Sequence, residues 1–197
     1  MLISLTNKFI AIAIPKTGTR SLRSYLAMPN QHWDGRSDRR IVDIIATKDS
    51  TIFTRHGTLT HCMQDAENVG LDISSYFAFT FVRNPWVRYA SQMLWYNEKY
   101  DTTVSIELLM QSYPSQYEYL HDKQSGKQVD YIAKFENYEK EILKLSDRLN
   151  FDLDINTIRH LNKNKKYNYK DYYTDDLVEM VREKESKIID LMGYTYD

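Results

Sequence analysis

One order of segments, an apolar run followed by a polar turn and then a helical pattern, constrains the fold of this chain most strongly. Residues 9–14 (Phe-Ile-Ala-Ile-Ala-Ile) form a short apolar run rich in β-branched side chains, which is typical of a strand buried on both faces. The polar turn 15–19 follows, and residues 21–26 carry a helical pattern. A strand that leads directly into a helix in this way predicts one unit of a parallel sheet.

The same order of segments returns later in the chain. Residues 76–82 have the strongest strand pattern, the turn 83–85 ends it at a proline, and a helix is predicted from Trp86 to about Asn97. Because parallel strands are joined by crossover helices, two such units predict the α/β class. We expect a three-layer, P-loop-like fold in which helices flank a parallel sheet of about four to five strands.

The remaining elements extend this architecture. Residues 51–54 predict a further short strand, and residues 131–135 predict an edge or late strand. An amphipathic helix is predicted over 138–149, and a last helix over 174–193, from an N-capping threonine to a glycine. No repeat, low-complexity tract or linker interrupts the chain, so we expect a single domain over residues 1–197.

Composition excludes several classes of protein. The chain has 26 Lys+Arg against 27 Asp+Glu, a net charge of −1, so it lacks the cation excess with which proteins coat nucleic acid polymers. Cys62 is the only cysteine, which excludes an internal disulfide framework. No apolar run approaches the roughly 20 residues of a membrane span. We therefore expect a cytoplasmic protein without a signal peptide or membrane anchor.

The turn 15–19 has the features of an anion site. A buried strand leads into a tight loop, and the helix after it presents unpaired N–H groups and the positive end of its dipole. Gly18 allows the backbone to approach an oxyanion closely, and Lys16 adds a positive charge. The loop is not a Walker A motif, because its lysine precedes the glycine. The alternative is an ordinary strand-to-helix turn with a solvated lysine.

The second turn repeats the pattern with an arginine. Arg83 stands where the second strand ends, and Ser91 follows on the next helix. A guanidinium binds phosphate bidentately, and ligands of parallel sheets gather at the carboxyl ends of the strands. Two anion sites at this edge predict a ligand with phosphates at two ends. The alternatives are a salt bridge of Arg83 to a carboxylate and a plain surface hydroxyl for Ser91.

Both turns resemble motifs of a known family. Residues 15–21 (Pro-Lys-Thr-Gly-Thr-Arg-Ser) resemble the 5′-phosphosulfate loop of sulfotransferases that use 3′-phosphoadenosine-5′-phosphosulfate (PAPS). Residues 81–91 are similar to their 3′-phosphate motif, in which an arginine and a serine eight residues later hold the 3′-phosphate. Residues 134–137 and 169–175 echo later segments of the carbohydrate (Golgi-type) branch, to which the chain is most similar.

The resemblance implies a reaction and a set of site residues. It implies transfer of a sulfuryl group from PAPS to a hydroxyl of a small-molecule or carbohydrate acceptor, with 3′-phosphoadenosine-5′-phosphate (PAP) as product and without a metal. Lys16 is expected to stabilise the departing phosphate. The implied nucleotide-binding residues are Pro15, Lys16, Thr17, Gly18, Thr19, Arg20 and Ser21 at the 5′ end, Arg83 and Ser91 at the 3′-phosphate, and Lys165 and Lys166 in a covering loop.

The general base is expected to be a histidine, because its side chain titrates near neutrality. The resemblance favours His56, which precedes the 3′-phosphate strand as the histidine of the family does. His61 remains an alternative, and so does an acidic residue.

Two rival functions remain open. A P-loop nucleotide kinase or hydrolase shares the strand–loop–helix arrangement, but it requires Mg²⁺ and a Gly-Lys-Ser/Thr sequence that is absent here. A non-catalytic nucleotide-binding module would keep the site without turnover. Residues 1–91 carry 11 basic and 7 acidic side chains, and residues 92–197 carry 15 and 20, so the half with both turns is the positive one.

Overall fold

The computed structural model describes residues 1–27 (the backbone alone at residues 24, 25 and 27), the backbone of residues 44–45, and residues 55–150 and 167–197. The predicted strand at 51–54 lies outside the described residues.

A five-stranded sheet forms the centre of the protein, in the order β3-β1-β2-β4-β5. β2, β4 and β5 are parallel, as the two strand–turn–helix units predict, whereas β1 pairs antiparallel with both β2 and β3. The α/β class is confirmed, and the antiparallel edge is a difference from the fully parallel sheet that we expected. β1 has only three residues, too few to show a periodic pattern. The strands are β1 (Leu2–Ser4), β2 (Phe9–Ile12), β3 (Ile44–Ile45), β4 (Phe77–Val82) and β5 (Tyr131–Lys134).

Helices occupy both faces of this sheet. The predicted last helix is divided at Glu185, whose carboxylate is fully buried. The described helices are α1 (Thr19–Ala27), α2 (Leu59–Asn68), α3 (Pro85–Tyr100), α4 (Ile106–Ser112), α5 (Tyr138–Leu149), α6 (Asp175–Lys184) and α7 (Ser186–Met192), with 3₁₀ turns at Gln116–Leu120, Phe135–Asn137 and Tyr169–Tyr172.

Alternation along the strands produces two hydrophobic cores. On one face, Ile10 and Ile12 of β2 pack with side chains of α2, α3, α4, α6 and α7. On the other face, Phe9 and Ala11 pack with α1 and α5. Each large apolar side chain buried in this way contributes about 1.5–3 kcal/mol. The sheet therefore has a layer of helices on each side, which confirms the three-layer prediction.

The parallel strands β2 and β4 are neighbours and end at the same edge of the sheet. The register pairs Ile12 with Thr80, and the Thr80 hydroxyl donates a hydrogen bond to the Ile12 carbonyl across the two strands (2.9 Å). The turns that follow β2 and β4 are consequently brought side by side. Within the described part of the chain, no helix is both long enough and apolar enough to cross a membrane.

Candidate active site

The turn after β2 depends on two left-handed residues. Lys16 has φ 68° and Gly18 has φ 76°. A Cβ atom on Gly18 would lie 2.6 Å from Cε2 of Phe135 and 2.9 Å from Cε2 of Tyr138, so glycine is required for space as well as for conformation. The two rings close one side of the turn, and the backbone reaches the start of α1 in a tight curve.

Local hydrogen bonds hold the turn in shape. The Thr17 hydroxyl donates to the Ile14 carbonyl (2.9 Å), and the Leu22 N–H donates to the Gly18 carbonyl (3.1 Å) as α1 begins. Because the Thr17 hydroxyl is used inside the turn, the donor that Thr17 can offer to an anion is its backbone N–H. The N–H groups at the start of α1 add further donors at the positive end of the helix dipole.

Arg83 connects the second turn to the first. Its Nη1 donates to the Lys16 carbonyl (3.2 Å), and its guanidinium lies 4.8 Å from the centre of the Phe135 ring. Arg83 forms no ion pair with a carboxylate of the described residues, so the salt-bridge alternative finds no support in them. Burial lowers the pKa of Arg83, and Tyr167 and Glu136 beside it oppose that effect.

Arg88, five residues later, makes the structural ion pair instead. Its Nη2 lies 2.8 Å from Oε1 of Glu185, and both side chains are fully buried. The Tyr89 hydroxyl donates to the same carboxylate oxygen (3.1 Å). Arg83 and Arg88 therefore have different environments, although the sequence shows two arginines of one motif.

The Arg83 backbone is held by a single buried side chain. The Arg83 N–H donates to Oε1 of Gln116 (2.9 Å), and Nε2 of Gln116 donates to the Arg83 carbonyl (2.8 Å). The Gln116 N–H donates in turn to Oε2 of Glu185 (2.9 Å). Gln116 and Glu185 are both fully buried.

A second carboxylate fixes the start of α3. The Asn84 N–H donates to Oε1 of Glu136 (2.7 Å), whose other oxygen accepts the Tyr194 hydroxyl (3.0 Å). The Asn84 side chain caps α3 by accepting from the Val87 N–H (3.3 Å) and donates to the Thr195 carbonyl (2.7 Å). Segments distant in sequence thus hold the second turn from several sides.

The Lys16 ammonium lies in a partly buried, positively charged environment. Burial, and then the nearby charge of Arg83, lower the pKa of Lys16 to about 8. Its Nζ lies 5.5 Å from the centre of the Trp95 ring, which Lys99 also approaches to 4.6 Å. Like charges held together in this way favour the binding of an anion.

His56 lies at the end of β2. Its Nδ1 is 2.7 Å from the Ala13 carbonyl, which can only accept a hydrogen bond, so Nδ1 carries the proton and Nε2 is left as a base. Burial, together with nearby positive charges that include Arg55 and Arg23, lowers the pKa of His56 to about 4, although the bond to Ala13 opposes this shift. His56 is therefore neutral near pH 7, and its pKa lies below the near-neutral range that we expected of a histidine base.

His61 has a structural position. Its Nδ1 accepts from the Thr58 N–H (3.2 Å), and its own N–H donates to the Thr58 hydroxyl (3.4 Å), which completes a capping box at the start of α2. Nδ1 of His61 is therefore engaged in the capping contact with Thr58.

The other predicted site residues that the structure describes lie in or next to the two turns. Ser91 is buried on α3, one helical turn before Trp95 and on the same side of the helix. Lys165 and Lys166 lie outside the described residues, but Tyr167, which follows them, lies beside Arg83. Of the rest, Pro15 and Ser21 are buried, Thr19 is half-buried and Arg20 is exposed.

Sequence reasoning missed Gln116 and Trp95. A glutamine in a polar segment and a tryptophan on a helix carry no signal of a site, and only the folded chain brings them to Arg83 and Lys16. Among the described residues, no group of three or more His, Cys, Asp or Glu side chains could hold a metal ion.

The fold and the two turns define an α/β protein with a pair of candidate anion-binding turns at the ends of neighbouring parallel strands. A model of the sulfotransferase family matches residues 1–105, which include both turns. The chain therefore belongs to the sulfotransferase family, whose reaction is the transfer of sulfuryl groups. A search of curated proteins and a search of solved structures gave no significant match.

Proposed function

We propose that the protein is a PAPS-dependent sulfotransferase that sulfates a hydroxyl of a carbohydrate or glycoconjugate. The observation that carries the proposal is the hydrogen bond between Arg83 and the Lys16 carbonyl, which brings the two turns and their cations together. PAPS has a phosphosulfate at one end and a 3′-phosphate at the other. A ligand with two anionic ends suits a site with a cation at each turn and no described carboxylate paired with Arg83.

The residues of the first turn fit the 5′ end of the nucleotide. The backbone donors from Thr17 to Thr19 and the dipole of α1 would hold the phosphate, assisted by Pro15 and Ser21 in the packing of the loop and by Arg20. The Lys16 ammonium would stabilise the negative charge that develops on the departing phosphate oxygen. Arg83 and Ser91 would hold the 3′-phosphate, with Lys165 and Lys166 covering the nucleotide.

His56 is the proposed general base. In an in-line displacement, the acceptor oxygen bonds to sulfur while the bond from sulfur to the phosphate oxygen breaks, and Nε2 of His56 takes the hydroxyl proton. The contact of Nδ1 with Ala13 supports this role, because it leaves Nε2 unprotonated. The capping contacts of His61 favour His56 over it.

A carbohydrate acceptor is supported by aromatic side chains beside Lys16. Trp95 is half-buried and Tyr100 is exposed, and their rings lie 5.8 Å apart in an edge-on arrangement. Aromatic rings with an exposed face suit the apolar faces of sugars. A small-molecule acceptor would make the same kind of contact with these rings over a smaller area.

Calorimetry with PAP, AMP and ATP-Mg²⁺ tests the proposal. We expect tight binding of PAP alone, because only PAP carries phosphates at both ends. A preference for ATP-Mg²⁺ would favour a nucleotide kinase or hydrolase. Binding of PAP without sulfation of any member of a broad panel of hydroxyl acceptors would favour a non-catalytic module.

The role of His56 is tested with His56→Ala and a matched control, His61→Ala. His56→Ala should lower turnover by about 10²–10⁴-fold and leave PAP affinity unchanged, because the base acts only in the chemical step. His61→Ala should lose about 0.5–1.5 kcal/mol of stability through the lost side-chain hydrogen bond of its capping box, with turnover retained. On the acid side of the wild-type profile, kcat/KM should fall as the pH drops through about 4, where His56 becomes protonated. A fall near pH 6.5 would contradict this assignment.

A further inference from the structure

Arg83 lies one residue beyond the last pair of its strand. The register of β4 with β5 ends at Val82 and Lys134, so no strand residue satisfies the Arg83 backbone. The Gln116 side chain takes that place, accepting from the Arg83 N–H and donating to the Arg83 carbonyl at 2.9 and 2.8 Å. An amide side chain that accepts and donates in this way reproduces a backbone peptide and extends the ladder by one residue.

Gln116 is fixed by a buried charge. It begins a 3₁₀ turn, Gln116–Leu120, and its N–H donates to Oε2 of Glu185 at 2.9 Å. The other oxygen of Glu185 accepts from Arg88 at 2.8 Å and from the Tyr89 hydroxyl at 3.1 Å. Gln116, Glu185, Arg88 and Tyr89 together form a buried frame behind Arg83. Hydrogen bonds to an ionised carboxylate are stronger than neutral ones, so Gln116 resists displacement from this frame.

We infer that Gln116 is a positioning residue for recognition of the 3′-phosphate, and that Glu185 holds it in place. Gln116 fixes the backbone of Arg83, and the backbone fixes the direction in which the guanidinium leaves the strand. The guanidinium then lies between the Lys16 carbonyl and the Phe135 ring. The inference rests on the proposed function, because it concerns the contact of Arg83 with the nucleotide.

The two residues that hold Arg83 lie in the part of the chain beyond the family match. Gln116 and Glu185 both lie after residue 105, whereas Arg83 lies before it. A site arginine from the matched part is held by side chains of the remaining part. A displacement of about 1 Å at a binding group can cost about a hundredfold in rate, so such a frame has a measurable effect.

The test compares the affinities for PAP and AMP, which differ only in the 3′-phosphate. Gln116→Leu keeps the size of the side chain and removes both hydrogen bonds to Arg83. We expect the ratio of the two affinities to fall by about tenfold or more, with the AMP affinity unchanged. The matched control is Gln92→Leu, because Gln92 is also a buried glutamine of this core and contacts Arg88 but not Arg83. It should keep the wild-type ratio.

A second measurement uses the wild-type protein in case Gln116→Leu does not fold. The Arg83 amide should exchange its hydrogen as slowly as the amides of β4, because its acceptor is fully buried. Rapid exchange of that amide, or a wild-type affinity ratio in folded Gln116→Leu, would overturn the inference. If the wild type itself does not prefer PAP to AMP, the proposed function fails instead.

Discussion

The two ends of the candidate site are held by different means. At the end proposed to bind the 3′-phosphate, Arg83 rests on a buried, hydrogen-bonded frame, with Gln116 on its backbone and Glu185 behind Gln116. At the end proposed to bind the 5′-phosphosulfate, burial and then nearby positive charges lower the pKa of both Lys16 and His56. Neither Arg23 nor Arg55 forms an ion pair with a described residue.

Under the proposed function, this difference separates nucleotide recognition from the chemical step. A frame that forms without ligand holds its binding group rigidly. The conformational entropy of that group is therefore lost when the chain folds and not when the ligand binds. Unpaired cations repel one another until an anion binds, so their stabilisation is realised on the ligand. Substitutions at the 3′ end should therefore alter stability and nucleotide selectivity, and substitutions at the 5′ end should alter turnover.

The largest expected effect is on stability at the 3′ end. Glu185→Ala leaves the Arg88 guanidinium buried without its partner, so the free energy of unfolding should fall by about 3–5 kcal/mol. Denaturation in urea measures this change. The matched control is Glu183→Ala, an exposed glutamate in α6, which should change stability by no more than about 0.5 kcal/mol. Equal losses in the two variants would contradict the buried frame.

At the 5′ end, Lys16→Ala should lower turnover by about 10²–10³-fold, because it removes the cation that stabilises the leaving phosphate. The protein should stay as stable as the wild type. Lys99→Ala is the control, since Lys99 also lies against Trp95 but is exposed. Steady-state kinetics measures both variants, and a similar loss in Lys99→Ala would show that only general positive charge matters.

The same lysine predicts a pH dependence. Because the pKa of Lys16 is lowered to about 8, kcat/KM should fall as the pH rises through about 8 and the ammonium loses its proton. Lys16→Arg should move this fall to higher pH, because a guanidinium stays protonated. An unchanged alkaline fall in Lys16→Arg would assign the titration to another group.

Arg83→Ala should remove the selectivity for the 3′-phosphate. Its charge-assisted contact contributes about 1.5–3 kcal/mol, so PAP should lose about 10–150-fold in affinity and AMP should lose none. Arg182→Ala serves as the control, because Arg182 is an exposed arginine near the Trp86 ring. Calorimetry measures the affinities of both variants for PAP and for AMP. Equal weakening of PAP and AMP would place Arg83 at a different part of the ligand.

The smallest effect concerns Tyr167. Its hydroxyl oxygen is buried and lies beside Arg83. A bound 3′-phosphate would accept a hydrogen bond from this hydroxyl. Tyr167→Phe should therefore weaken PAP binding by about 0.5–1.5 kcal/mol and leave AMP binding unchanged. Tyr172→Phe is the control, because the Tyr172 ring contacts that of Tyr167 (6.2 Å) and its side chain is exposed. Unchanged PAP binding in Tyr167→Phe would exclude this contact.

Much of the fold could be predicted from local sequence. The apolar runs of β2 and β4, the amphipathic pattern of α5 and the N-cap of α6 are signals that neighbouring residues carry by themselves. β1 could not be predicted, because three residues show no period and its pairing with β2 comes from the tertiary structure. The break at Glu185 was missed for the same reason, since a buried carboxylate requires partners from other elements.

The sequence by itself determined the two turns, the order of Arg83 and Ser91, and membership of the sulfotransferase family, because these depend on residues close together in the chain. Only the tertiary structure decided which arginine faces the site and which is paired in the core. It also brought Gln116 to Arg83 and Trp95 to Lys16, and it gave His61 a capping contact. Hydrogen bonds and charge interactions act over a few ångströms, and separation along the sequence does not show which residues come that close in the folded chain.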